Sequence, residues 1–262
     1  MKNDFKELIY NFNQYLNNNI NEVDLIIMQL RGKINNLRKI LFERLINYKM
    51  VRIFTSAVIL IYIPLIIIGI FIAAYFHPDG YSIITNWISD LGGSPHTPAP
   101  YLYDIACIVA GALTIPFTFY MENLLAPLPK KEEKEIHFSR MRFRLVSSAF
   151  LFSLIGSIGY IGVGIFSEDR NIYNLHTITS SLAFGGFTLG AFFMGWTIIL
   201  YDTKISKALG LYGVIGPLTT IFIFLLINNP LWEWLLLFSI LAWIIPLALI
   251  VFNKNDLKFG QI

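Results

Sequence analysis

Residues able to hold a metal ion or move a proton collect in the short stretches between apolar runs. HPDGYSIITNWISDLGGSPH (77–96) supplies His77, Asp79, Asn86, Ser89, Asp90 and His96, and Asp104 follows it. SEDRNIYNLH (167–176) supplies Glu168, Asp169, Arg170 and His176. A third stretch holds Asn228, Asn229 and Glu233. These residue types admit three chemistries. Asp90, His96 and His176 are a candidate metal ligand set, with Glu168 as general base; no HExxH or other tight ligand spacing accompanies them. Ser89, His176 and Asp90 are the residue types of a nucleophilic triad, but no GxSxG elbow surrounds Ser89. The third reading is structural. SDLGG reads as a helix or turn end with glycine termination. There Asp90 bonds freed backbone amides or pairs with Arg170, while Asn174 and His176 cap the run that follows. The expectation is therefore one polar cluster of Asn86, Ser89, Asp90, His96, Glu168 and His176. It serves as scaffold or as a pocket for a lipid headgroup or other small ligand. No catalytic residue is assigned, and no metal or cofactor is expected.

These residues are positioned by a very apolar chain. Of 262 residues 55% are hydrophobic and 14% charged, with mean hydropathy +0.60; a soluble domain carries roughly 25% charged residues. Six apolar runs lie near 53–75, 101–121, 145–166, 175–200, 207–227 and 231–252. Each is about 20 residues, the length at which an α-helix crosses a ~30 Å bilayer core. A barrel would show short alternating segments instead. In hydrocarbon the backbone must satisfy its own hydrogen bonds, which makes helix the expected form. Cys107, the one cysteine, excludes an intrachain disulfide and a thiolate metal site. No Lys/Arg-rich stretch interleaved with aromatics points to nucleic acid.

Loop charge sets the expected orientation. Arg31, Lys33, Arg38, Lys39, Arg44, Lys49 and Arg52 precede the first run; Lys130, Lys131, Lys134, Arg140, Arg142 and Arg144 follow the second; Lys204 and Lys207 follow the fourth; Lys254 and Lys258 end the chain. Residues 76–100 and 228–230 hold no Lys or Arg, and 167–174 holds only Arg170. This alternation predicts cytoplasmic N- and C-termini and an outward polar cap. Residues 1–50 lack the apolar core of a signal peptide, so the first run is expected to act as its own insertion signal.

Within the runs, Gly186 and Gly190 form a GxxxG, and Ser153, Gly156, Gly159 and Gly162 put small residues along the third run. Such rows let helices approach closely in lipid. Pro64, Pro116, Pro217 and Pro246 predict kinks. Trp87, Trp232 and Trp234 are placed at the outer interface, as an aromatic belt. No clearly deep Lys, Arg, Asp or Glu lies within a run, and no repeat symmetry is evident, which disfavours a transporter. In residues 1–50, Ile9, Phe12, Leu16, Val23, Ile26, Leu30, Leu37 and Ile40 follow an a/d heptad pattern. The segment reads as a coiled coil, and so a route to a homo-oligomer, or as a basic amphipathic helix on the inner leaflet.

The segment His77, Pro78, Tyr81, Ser82, Asn86, Ser89, Asp90, Leu91 and Gly92 resembles the pattern P-x-x-Y/F-S-x-x-x-N-x-I/L-S-D/E-L-G of the DUF-998 family of small membrane proteins. Gly164, Phe166, Glu168, His176 and Phe184 resemble that family's G-x-F-P-E … H-x-x-x-A-x-x-x-F segment, with Ser167 and Ser180 in place of the usual Pro and Ala. ISDLGG is also similar to the outer loop of the wider FRAG/DRAM/SFK class. The resemblance spans about 53–252. It implies a six-span fold in which the two segments belong together, and no particular chemistry.

The fold class expected is all-α: a polytopic membrane protein with six transmembrane helices and both termini inside. Residues 1–50 form a cytoplasmic helical extension, 51–254 the membrane domain and 255–262 a short tail. The expected function is a non-enzymatic lipid- or small-ligand-binding scaffold of the cell membrane, whose partners are membrane lipids. A metal-assisted hydrolase at the outer leaflet is the alternative, with a transporter the less favoured third reading.

Overall fold

The computed structural model describes residues 42–78, 80–126 and 140–253, with isolated positions between 33 and 40. Most of the heptad positions expected over 1–50, the loop lysines at 130–134 and the tail 255–262 fall outside the described residues. The chain forms two compact units, Met1–Leu45 and Ile46–Ile262. In the first, Lys39 and Glu43 make an exposed i,i+4 ion pair.

In the second unit, regular structure among the described residues is helical, without strands. Six long helices follow in order: α1 Tyr48–Phe76, α2 Tyr101–Leu125, α3 Arg140–Ile165, α4 Leu175–Leu200, α5 Lys207–Ile227 and α6 Pro230–Asn253. The shortest, α5, has 21 residues, about 32 Å at ~1.5 Å per residue, enough to cross a bilayer core. All six are long and apolar enough to span a membrane, the signature of a multi-pass membrane protein. Large apolar side chains such as Leu60, Phe71, Leu225 and Leu226 stand exposed on their outer faces. In water such a surface would aggregate; in lipid it is the solvated face.

Starts and ends have local causes. Asn47 Oδ1 accepts from Lys49 N and Met50 N at 3.1 and 3.3 Å, capping α1. Pro64, Pro116, Pro217 and Pro246 lie within α1, α2, α5 and α6. Basic residues serve helix C-termini at one end of the bundle: Arg142 Nε donates to Leu125 O at 2.9 Å, and Lys207 Nζ to Ile198, Ile199 and Tyr201 carbonyls.

Neighbours in sequence pack as neighbours in space. The most extensive contact is α3 on α4, made through small residues of both helices. A Cβ on Gly159 would lie 2.6 Å from Ala183 N, and one on Gly156 2.8 Å from Phe187 N. Only glycine admits backbone this near. By contrast α1 and α6 meet thinly. Behind that seam lies a cavity of about 820 Å³, including its open part, walled by α1, α2, α3, α4 and α6. Its lining is nearly all apolar, with Val58, Ile63, Phe117, Phe184, Leu237 and Leu241 among it. Tyr62 and Tyr160 also line it, their hydroxyls hydrogen-bonded to each other.

Candidate functional site

The segment 80–100 folds over one end of the bundle. α1 stops at Phe76, and the chain turns at Gly80, whose φ of +70° suits glycine. A tight turn follows: Asn86 N donates to Ser82 O at 2.8 Å, and Ser82 N donates back to Asn86 Oδ1 at 3.1 Å. Tyr81 Oη donates to Trp87 O at 2.7 Å. Burial, with the nearby Asp90 charge, pushes that phenol's pKa above its ordinary range. Then comes a 3-10 helix, Ile88–Gly92. Ile88 and Leu91 are each 1% exposed and belong to the apolar core with Tyr62, Tyr103 and Trp234. The segment is thus a plug, held by two side chains sunk among the helices.

Its polar groups are met from three directions. Asp90 Oδ2 accepts from Trp87 N at 2.9 Å. Glu233, in the first turn of α6, accepts from Ile88 N at 2.8 Å. Trp234 Nε1 donates to Asn86 O at 3.1 Å. Trp234 is fully buried, so it is no member of an aromatic belt: the carbonyl of Asn86 needed a donor, and the indole turns inward to supply it.

The second segment closes on the first. Asp169 accepts from Ser94 N at 2.9 Å and from Ser94 Oγ at 3.0 Å. A Cβ on Gly93 would sit 2.6 Å from Glu168 Oε2, so a bare backbone is what lets that carboxylate approach. Arg170 pairs with Asp104, Nη2 to Oδ2 at 2.5 Å, and not with Asp90 as the sequence had allowed. It also donates to Gly164 O at 3.2 Å. His176 lies at the start of α4, where Asn171 Oδ1, and not Asn174, accepts its N–H at 3.1 Å. Its Nδ1 lies 2.8 Å from Phe166 O. A carbonyl only accepts, so Nδ1 carries the proton.

Of the six residues expected to cluster, three bring donor atoms to a common point. Asp90, His96 and Glu168 have ligand atoms all within 4.8 Å of one another. His96 Nε2 stands 3.9 Å from Asp90 Oδ1 and 3.9 Å from Glu168 Oε1, and His77 stacks on the His96 ring at 5.8 Å. Asp90 is 6% exposed, His96 half-buried and Glu168 at the solvent rim. Partial burial, reinforced by the Asp90 charge and opposed by His96 and His176, raises the Glu168 carboxyl above the usual glutamate range. The ligand group therefore holds Glu168, whereas the sequence had grouped His176 with Asp90 and His96 and given Glu168 the part of base. Asn86 is committed to the turn, and Ser89 sits half-buried on the 3-10 helix.

In the sequence Glu233 is only one more loop carboxylate. It is 8% exposed and caps the plug from a residue 145 positions away, a pairing with no local signal. In comparisons with known proteins, no family model, no curated protein and no solved structure matches the chain.

Proposed function

We propose that this chain is a lipid-binding protein of the cell membrane. The acyl chain occupies the cavity behind the α1–α6 seam. The observation that carries the reading is the cavity itself. It is a narrow, open-sided apolar cleft reached by five of the six helices, and apolar walls of this kind are what ligand pockets present. Its lining is mostly apolar: the Tyr62 and Tyr160 hydroxyls satisfy each other, Thr114 Oγ1 bonds Ala110 O at 2.6 Å, and Thr55 Oγ1 is a lining hydroxyl without a protein partner. A hydrocarbon chain suits such walls, and the thin α1–α6 contact faces the acyl region from which one would enter.

The same reading places the polar end outside. Among the described residues that end carries Asp90, Asp104, Glu168, Asp169 and Glu233 against Arg170, while Lys49, Arg52, Arg142 and Lys207 belong to the other. Cations gather on the cytoplasmic side. Both termini are then cytoplasmic, as the loop charges led us to expect.

Native mass spectrometry of the detergent-purified full chain tests the reading. A lipid-mass adduct is expected on the wild type and strongly reduced in Ile63→Trp and Leu241→Trp, which fill the cavity from half-buried walls. No adduct, or the same adduct in both variants, refutes it.

A further inference from the structure

We propose that Asp90, His96 and Glu168 form a binding site for one divalent first-row transition cation, of the Zn²⁺ or Mn²⁺ kind. The proposal stands on the geometry of the polar end and does not depend on lipid binding.

The distances fit. A tetrahedral ion with bonds of ~2.0–2.2 Å sets its ligand atoms about 3.4 Å apart. His96 Nε2 lies 3.9 Å from each neighbouring carboxylate. The Asp90 and Glu168 oxygens lie within 4.8 Å of each other, so an ion would draw the three ligand atoms together by about 0.5–1.4 Å to reach bonding geometry.

The scaffold holds them in place. Asp90 is anchored by Trp87 N–H through Oδ2, so Oδ1 is the oxygen facing the imidazole. His96 N donates to Gly93 O at 3.0 Å, and that turn is fastened to the Glu168 segment by two hydrogen bonds donated from Ser94 N and Oγ to Asp169. Gly93 itself gives Glu168 its room. His96 Nδ1 is buried within the turn, and Nε2 is the nitrogen that faces the two carboxylates.

Charge asks for a cation. Asp90 and Glu233 are buried beside each other's field, with Glu168 at the rim. Among the described residues the basic side chain at this end is Arg170, and Asp104 already holds it. Converging carboxylates without a counter-charge are unfavourable, and a bound dication supplies it. The donor set then selects the ion. Ca²⁺ and Mg²⁺ prefer all-oxygen shells, whereas an imidazole with two carboxylates suits first-row transition ions. His96 and Glu168 side chains remain 30% and 39% exposed, which leaves a coordination position open to solvent or an anionic group.

The test is metal titration of the full chain in detergent after chelator stripping, with Zn²⁺ and Mn²⁺ as probes and calorimetry as readout. One ion per chain is expected. Asp90→Asn, His96→Ala and Glu168→Gln should each weaken it by about 10- to 100-fold or more. Asp202→Asn, outside the cluster, should leave it unchanged. Thermal melts in chelator identify any variant that fails to fold. For such a position, the Co²⁺ absorption spectrum of the wild type replaces the variant, and a d–d band with a nitrogen ligand is expected. Absence of stoichiometric binding overturns the proposal. So does binding indifferent to all three substitutions, or Ca²⁺ binding that His96→Ala does not touch, since that describes an oxygen-only site.

Discussion

Replacing Glu233 by alanine should destabilise the polar end by about 2 kcal/mol. The plug has two ways to respond. It can withdraw, exposing Ile88 and Leu91, each 1% exposed in the native state. That costs about 1.5–3 kcal/mol per side chain. Or it can stay and leave the Ile88 N–H, now bonded to Glu233 Oε2 at 2.8 Å, without an acceptor. An orphaned buried amide costs about 1–3 kcal/mol. Staying is cheaper, so the loss should equal one unsatisfied amide, roughly a 30-fold change in the folding equilibrium. Glu233→Gln keeps an acceptor oxygen in the same place and removes a negative charge from beside Asp90, so it should cost about 1 kcal/mol or less. Denaturation by SDS in mixed micelles, followed by tryptophan fluorescence, reads both. Trp234, next in sequence and bonded to Asn86 O, makes the signal local. If Glu233→Ala matches the wild type within about 0.5 kcal/mol, or Glu233→Gln is as damaging as Glu233→Ala, the capping argument is wrong.

Other expectations follow from the same geometry. Gly159→Val should destabilise by about 1–3 kcal/mol or more, because its Cβ meets the α4 backbone at Ala183 N. Gly185→Ala, with nothing within 4 Å of the added carbon, should stay within about 0.5 kcal/mol in the same assay. Arg170→Ala leaves Asp104 buried and unpaired; with the guanidinium half exposed, the loss should be about 1–2 kcal/mol, and a melt identical to wild type would count against the pair. Deleting residues 1–45 should leave the thermal midpoint of the Ile46–Ile262 unit unchanged, since that unit is compact by itself and keeps its Asn47 cap; a collapsed melt refutes this.

The helices were legible because lipid leaves the backbone little choice. The apolar run at 53–75 became Tyr48–Phe76, and that at 231–252 became Pro230–Asn253. The Gly159 and Gly186 rows were legible because small residues at helical spacing have few other uses in a bilayer. The polar end was legible by residue type but not by partnership. Asp90 and Glu168 are 78 positions apart, so no local period connects them. Arg170 chose Asp104 over Asp90, a decision made by how α2 and α3 pack. Trp234 read as an interface anchor because nothing near it in sequence shows the carbonyl it must serve.

The plug draws its hydrogen bonds from the far end of the chain. Ile88 N and Asn86 O wait for Glu233 and Trp234, 145 and 148 residues downstream. During synthesis those groups stay with water until the sixth helix arrives. The first loop therefore finishes last. A chain stopped before residue 230 would lack both the acceptor for Ile88 N and the donor for Asn86 O.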